Sequence, residues 1–382
     1  MIATWIDLNA LFYGCCEEPG LSRQFRGEPV AYPERVVVTD AGADPTGRAD
    51  STPAMQACID RVAAAGGGPV SVPPGEYRIS FLTLRPHVTL ELAGGAGRAT
   101  DGWTPEAAAR AMDPSQSAII RSVADRKGRW WLFLFNLVPP TAATNGFSDI
   151  TVSGGVFDCE GRYLPGAFAC GRNIRLENMV VKDLPNNHAF QIDGCTNVVV
   201  ANCLFAGYTF GGKHKVLTRE TIQVEQTSPG ALSGNPTNTP ISCAREVSIP
   251  NRNVSVTGCW FGPSERLGPH LIPLGHHGRP RSCDGLVFAG NVVVNPLYCG
   301  VRLANVSDVR VEGNTFVSTN ASPRLAKDSA VVCLWGKQAL APGEKGVVIR
   351  GNRVVLAPES PLRRLWVSEP RKGEVSAEKD GL

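Results

Sequence analysis

Ile174-Arg-Leu-Glu-Asn-Met-Val-Val181 and Val198-Val-Val-Ala-Asn-Cys-Leu-Phe205 share one form: apolar-x-apolar-x-x-small-x-apolar. The same form opens at Ile150, Val254, Leu286, Val309 and Val347. Alternating β-branched residues put one face inward and one outward with period two. Ile150 to Ile174 and Ile174 to Val198 are each 24 residues apart. A unit of that length, with longer gaps where loops are inserted, suits one coil of a parallel β-helix. The fifth residue after each start runs Gly155, Met179, Cys203, Cys259, Asn291, Asn314, Asn352. Stacked coils align these in a column, where asparagine amides can bond from coil to coil, so the asparagines read as structural.

The N-terminal third supplies a cap. Arg35-Val-Val-Val-Thr39 reads as a strand, and Thr46 to Pro53 as a turn that starts a helix. Met55, Ile59 and Val62 share one face of that helix, and Gly66-Gly67-Gly68 ends it. An amphipathic helix there covers the open core of a first coil. The expected organisation is an extension over 1–34, a cap and first coil over 35–95, a β-helix over 96–360 and a tail over 361–382.

Composition narrows the function. Of 382 residues, 43% are hydrophobic and 19% charged, enough for a sizeable core. Lys+Arg 38 against Asp+Glu 35 leaves +3, too balanced to point to nucleic acid. No apolar run approaches the roughly 18 residues of a membrane span. The N-terminus has no basic start, and Asp7 interrupts its apolar stretch, so a cytoplasmic location is expected. The twelve cysteines form no CxxC pair, and several read as small reduced core residues, Cys203 and Cys259 among them. No cofactor is expected. His276 and His277 with His270 and Cys283 match no standard zinc spacing, so no metal is expected either.

The stretch from Asp40 through Cys58 to Gly66-Gly-Gly-Pro-Val-Ser-Val-Pro-Pro-Gly-Glu-Tyr77 resembles the N-terminal cap of the pectate-lyase superfamily. That resemblance implies an all-β, right-handed parallel β-helix, and its pattern extends over roughly residues 35 to 355. It is most similar to the polygalacturonase-like glycoside hydrolases. Their Asn-Thr-Asp-Gly-Ile-Asp-Ile resembles Thr218-Arg-Glu-Thr-Ile-Gln-Val224, which puts Glu220 and Gln223 at the two Asp positions. Their Gly-Asp-Asp-Cys-Ile-Ala-Ile resembles Gly268-Pro-His-Leu-Ile-Pro-Leu274, with His270 in place of an Asp. Their Gly-His-Gly resembles Gly275-His-His-Gly278, and their Arg-Ile-Lys resembles Arg302-Leu-Ala304.

Read from the residues, a second strand follows each middle repeat. Aligning His188–Asp193, Glu220–Glu225, 270–275 and 299–304 on their apolar pairs leaves three outward columns. These are His188, Glu220, His270; then Gln191, Gln223, Arg302; then Asp193, Glu225. The expected catalytic residues are Glu220, Glu225, His270, Asp193 and His188. Arg302, Gln223, Gln191, His276, His277, Lys213 and Arg219 are expected to bind substrate. Cations on the flanking insertions, including Lys213, Arg219 and Arg266, favour an anionic saccharide. The leading expectation is hydrolysis of a glycosidic linkage in such a saccharide. The alternatives are a lyase or epimerase with His270 as base, a non-catalytic glycan-binding β-helix, and an enzyme of small-molecule biosynthesis.

Overall fold

The computed structural model describes residues 35–123, 131–136, 148–210, 219–226, 249–276, 283–319, 328–336, 346–368 and 375–377. Among these, the strands form three parallel sheets of 11, 10 and 9 strands, and the chain visits the sheets in turn as it coils. One coil runs Thr196–Ala201 in the first sheet, Leu204–Tyr208 in the second and Glu220–Glu225 in the third. The fold is a right-handed parallel β-helix. In sequence, 209–219 leads into the third-sheet strand at Glu220, and 226–250 leads from Glu225 to the next first-sheet strand.

The repeat starts lie in register through the first sheet: Ile150, Ile174, Val198, Val254, Leu286, Val309 and Val347 pair successively. All seven are buried. The residues before five of these starts, Asp149, Asn173, Asn197, Asn253 and Asp308, sit at positive φ between 49° and 60°. Among residues other than glycine, Asn and Asp tolerate that conformation best, and Gly285 takes it before Leu286. Their amides also bond along the axis, Asn173 to Asp149 at 2.9 Å and Asn197 to Asn173 at 3.0 Å.

The asparagine ladder forms at the turn between the first and second sheets. Asn291 Nδ2 donates to Asn314 Oδ1 at 3.0 Å, and Asn314 Nδ2 donates to Asn352 Oδ1 at 2.9 Å. Where the column carries cysteine, sulfur takes the acceptor role: the Cys203 amide donates to Cys259 Sγ at 3.4 Å. Both thiols are free and buried, as are those of Cys58, Cys159, Cys195, Cys283, Cys299 and Cys333. Cys170, by contrast, is disulfide-bonded. Phenylalanines fill the interior, with Phe205 and Phe261 stacked at 4.7 Å and Phe190, Phe288 and Phe316 continuing the line.

At the N-terminal end the helix Thr52–Ala64 buries Met55, Cys58, Ile59 and Val62 against the first coil. Pro53 opens it, where a missing amide hydrogen costs nothing. Two local expectations change. The first strand is only Val36–Val37, since Val38–Ala41 tightens into a 3-10 turn, and a short helix at Pro105–Ala111 interrupts the coils. The expected tail also continues the solenoid: Arg363–Val367 joins the third sheet and Val375–Ala377 the first. Its alternation is too short to stand out as a repeat, and pairing with the preceding coil defines it.

Candidate functional site

The third sheet carries the candidate face. Phe190, Ile222, Leu274 and Val301 point inward in register, and all are buried. This pairing corrects one alignment made from sequence. Ile222 faces Leu274 and Glu220 faces Ile272, two residues away from the expected pairing of Glu220 with His270. Leu274 in turn faces Val301, so Gly275 rather than Pro273 lies beside Arg302. The outward columns therefore run Gln191, Gln223, Gly275, Arg302, and then Asp193, Glu225.

A two-residue shift keeps each side chain on its face. His188, Glu220, His270 and His276 share the parity of the inward Phe190, Ile222, Ile272 and Leu274, so the expected outward column of His188, Glu220 and His270 lies on the buried side. His270 is 1% exposed and packs against Phe261 and Tyr208. Its Nε2–H donates to the Phe205 carbonyl at 3.1 Å, so its Nδ1 accepts from the Thr221 hydroxyl at 2.6 Å. Burial lowers its pKa to about 4, only partly offset by the Phe205 carbonyl. It is a neutral core histidine and does not stand on the face as a base. His276 faces Leu303 in the inward register, is fully buried, and donates from Nδ1 to the Ala304 carbonyl. It cannot reach a substrate on the outer face. His277 and Lys213 lie outside the described residues.

Glu220 and His188 do come together. His188 Nδ1–H donates to the Glu220 carbonyl at 2.7 Å and lies 3.9 Å from Glu220 Oε2. His188 Nε2 then accepts from Arg219 Nη1 at 3.2 Å. Glu220 is fully buried, with its chain folded beneath Gly275, where an added Cβ would collide with Glu220 Cγ. Its charge helps to push the Tyr208 hydroxyl pKa up, after burial. Burial also disfavours the Arg302 cation, but the fields of Tyr298, Cys333, Cys299 and Glu220 outweigh it and raise that pKa. Glu220 thus lies beneath the face, packed against His188 and Gly275.

Asp193 and Glu225 are direct register partners on adjacent coils. Each is bonded by the glutamine two residues before it: Gln191 Nε2 donates to Asp193 at 2.9 Å, and Gln223 Nε2 to Glu225 at 3.1 Å. The environments differ. Asp193 is 1% exposed and Glu225 only half-buried. Burial first, then the Glu225 charge, hold the Asp193 pKa well above the usual carboxylate range, against the opposing Gln191 bond. Asp193 thus keeps its proton to higher pH than a free carboxyl does, beside a second, more accessible carboxyl. Asp193 Oδ1 and Arg302 Nε have no hydrogen-bond partner among the described residues. The guanidinium of Arg302 lies 5.9 Å over the Tyr298 ring. Sequence reading identified this carboxyl pair, but their difference in burial is a property of the folded face.

The three-sheet coil, the asparagine-lined turn and the helical cap make this a right-handed parallel β-helix. Residues 35–122 match the family model described as "Rhamnogalacturonase A/epimerase, pectate lyase-like". The chain is 28% identical over 306 residues to plasmin and fibronectin-binding protein A of Streptococcus pneumoniae, covering 73% of this chain and 38% of that protein. It is 31% identical over 152 residues to mannuronan C5-epimerase AlgE1 of Azotobacter vinelandii, covering 38% of this chain and 10% of the epimerase. The chain thus spans well under half the length of either relative. The crystal structure of PfbA, a surface adhesin of Streptococcus pneumoniae, superposes with a TM-score of 0.65 at 22% identity, over 90% of this chain and 79% of that one. The relatives include a polysaccharide-modifying enzyme and a binding protein.

Proposed function

We propose that this protein is a carbohydrate-active enzyme that hydrolyses a glycosidic linkage in an anionic saccharide, with Asp193 and Glu225 as its paired carboxyls. The observation that carries this reading is a deeply buried carboxyl, Asp193, in direct register with a more exposed one, Glu225. Adjacent strands lie about 4.8 Å apart, near the roughly 5 Å spacing of carboxyls in retaining glycosidases. In this reading Asp193 gives its proton to the leaving oxygen while Glu225 attacks the anomeric carbon. Water then displaces Glu225 and returns a proton to Asp193. Arg302 holds a uronate carboxylate one column across. Paired environments that set two carboxyls apart are the usual means of assigning acid and nucleophile.

A second reading rests on the match to a C5-epimerase. There the same face would use Glu225 to take the sugar C5 proton while Arg302 neutralises the uronate carboxylate. His270, buried and lowered in pKa, cannot be the base. A panel of uronate-containing polysaccharides separates the readings. New reducing ends without ultraviolet absorbance support hydrolysis. An absorbing unsaturated product indicates elimination, and deuterium taken up from heavy water without chain scission indicates epimerisation. Binding without any product would make the face a glycan receptor and sink both catalytic readings.

A further inference from the structure

Beyond Arg302 the third sheet continues for two coils, and its outward residues there are unexpected for a plain solvated face. Ala304 faces Trp335 across adjacent strands, and Cys333 faces Trp366. Leu303, Leu334 and Val367 mark the inward register, so the alternation sends Trp335 and Trp366 outward. Both indoles are half-buried, and Arg364, two residues before Trp366, is exposed.

We infer that Trp335 and Trp366, with Arg364, form distal subsites of a track for an anionic saccharide chain. Indole faces stack on the C–H faces of sugar rings, and their N–H edges remain free to bond hydroxyls. Arg302 and Arg364 supply cations two coils apart, suited to acidic groups that recur along a chain. Trp335 lies three coils from Glu225, about 14 Å at 4.8 Å per strand. A short oligosaccharide at the carboxyl pair therefore does not reach it, whereas a longer chain does.

This inference rests on the proposed saccharide function, and binding can be read apart from turnover. Quenching of intrinsic fluorescence and calorimetry measure a uronate trisaccharide and a uronate octasaccharide on the whole chain. Trp335→Ala and Arg364→Glu should each weaken the octasaccharide about three- to ten-fold, and leave the trisaccharide unchanged. Arg364 is exposed, so its variant stays folded even if the tryptophan variant does not, and thermal melts check both. Equal weakening of both oligomers, or no weakening of either, overturns the track. If the wild type cleaves its substrate yet these variants bind as it does, only the track fails. If nothing is cleaved but octasaccharide binding still depends on Trp335, the catalytic reading fails and the track stands. A wild type that binds neither oligomer overturns both.

Discussion

Asp193→Asn tests the carboxyl pair through stability and turnover together. The substitution keeps the shape and removes an ionisable group whose pKa burial and the Glu225 charge raise. An unfolded Asp titrates near 3.9. Between that value and its raised folded pKa, the native state binds the proton that the unfolded chain has released. Stability from this group is therefore fully present below the unfolded value and is lost as pH rises. At pH 7 the loss is capped at about 4 kcal/mol, at 1.36 kcal/mol per pH unit above 3.9. Unfolding entropy of roughly 2.1 cal/mol/K per residue over 382 residues makes each kcal/mol worth about 1 °C in Tm. Asp193→Asn should then melt a few degrees above wild type at pH 7 and close to it at pH 4. If Asp193 is the general acid, the same variant loses about 10²- to 10⁴-fold in turnover. Melts across pH 4 to 8, with rates on the substrate found in the panel, give both quantities. Higher stability with unchanged turnover would show a buried carboxyl without a catalytic role. No gain at pH 7 would refute the account of its protonation.

Other substitutions test the frame around the pair. His270 titrates near 4 when folded and 6.5 when free, so the unfolded chain takes up its proton first as pH falls. Stability should drop by about 3 kcal/mol between those values, and His270→Gln, able to bond both Thr221 and Phe205, should flatten that part of the pH–Tm curve. Asn314→Ala leaves the Asn291 amide and the Phe288 carbonyl without their partner. It should cost about 2–5 kcal/mol, while Asn314→Cys, whose sulfur can accept as Cys259 does, should cost less; equal losses in denaturant melts would refute the ladder argument. Gly275→Ala forces Glu220 aside and should destabilise by about 1–3 kcal/mol, with a weaker hold on Arg302 visible as a raised KM.

Much of this molecule was legible in the chain because its repeat is local. The inward column from Ile150 to Val347, the asparagine turn and the capping helix each follow from residue type at a fixed spacing, and the stacking of coils realises them directly. The Asp and Asn residues at positive φ carried a signal too, since they precede five of the repeat starts. The third sheet was different. Insertions of unequal length separate its strands from those starts, so only their own apolar pairs could align them. Around 270–276 two registers satisfy the same period-two rule, and His270 and His276 read as polar in sequence although hydrogen bonds satisfy them inside the core. A histidine's burial depends on which partners the neighbouring coils bring to it, here Thr221, the Phe205 carbonyl and the Ala304 carbonyl. The same holds for Asp193 and Glu225: residue type and spacing put them side by side, but only the packing of the face set one deeper than the other and so divided their protonation.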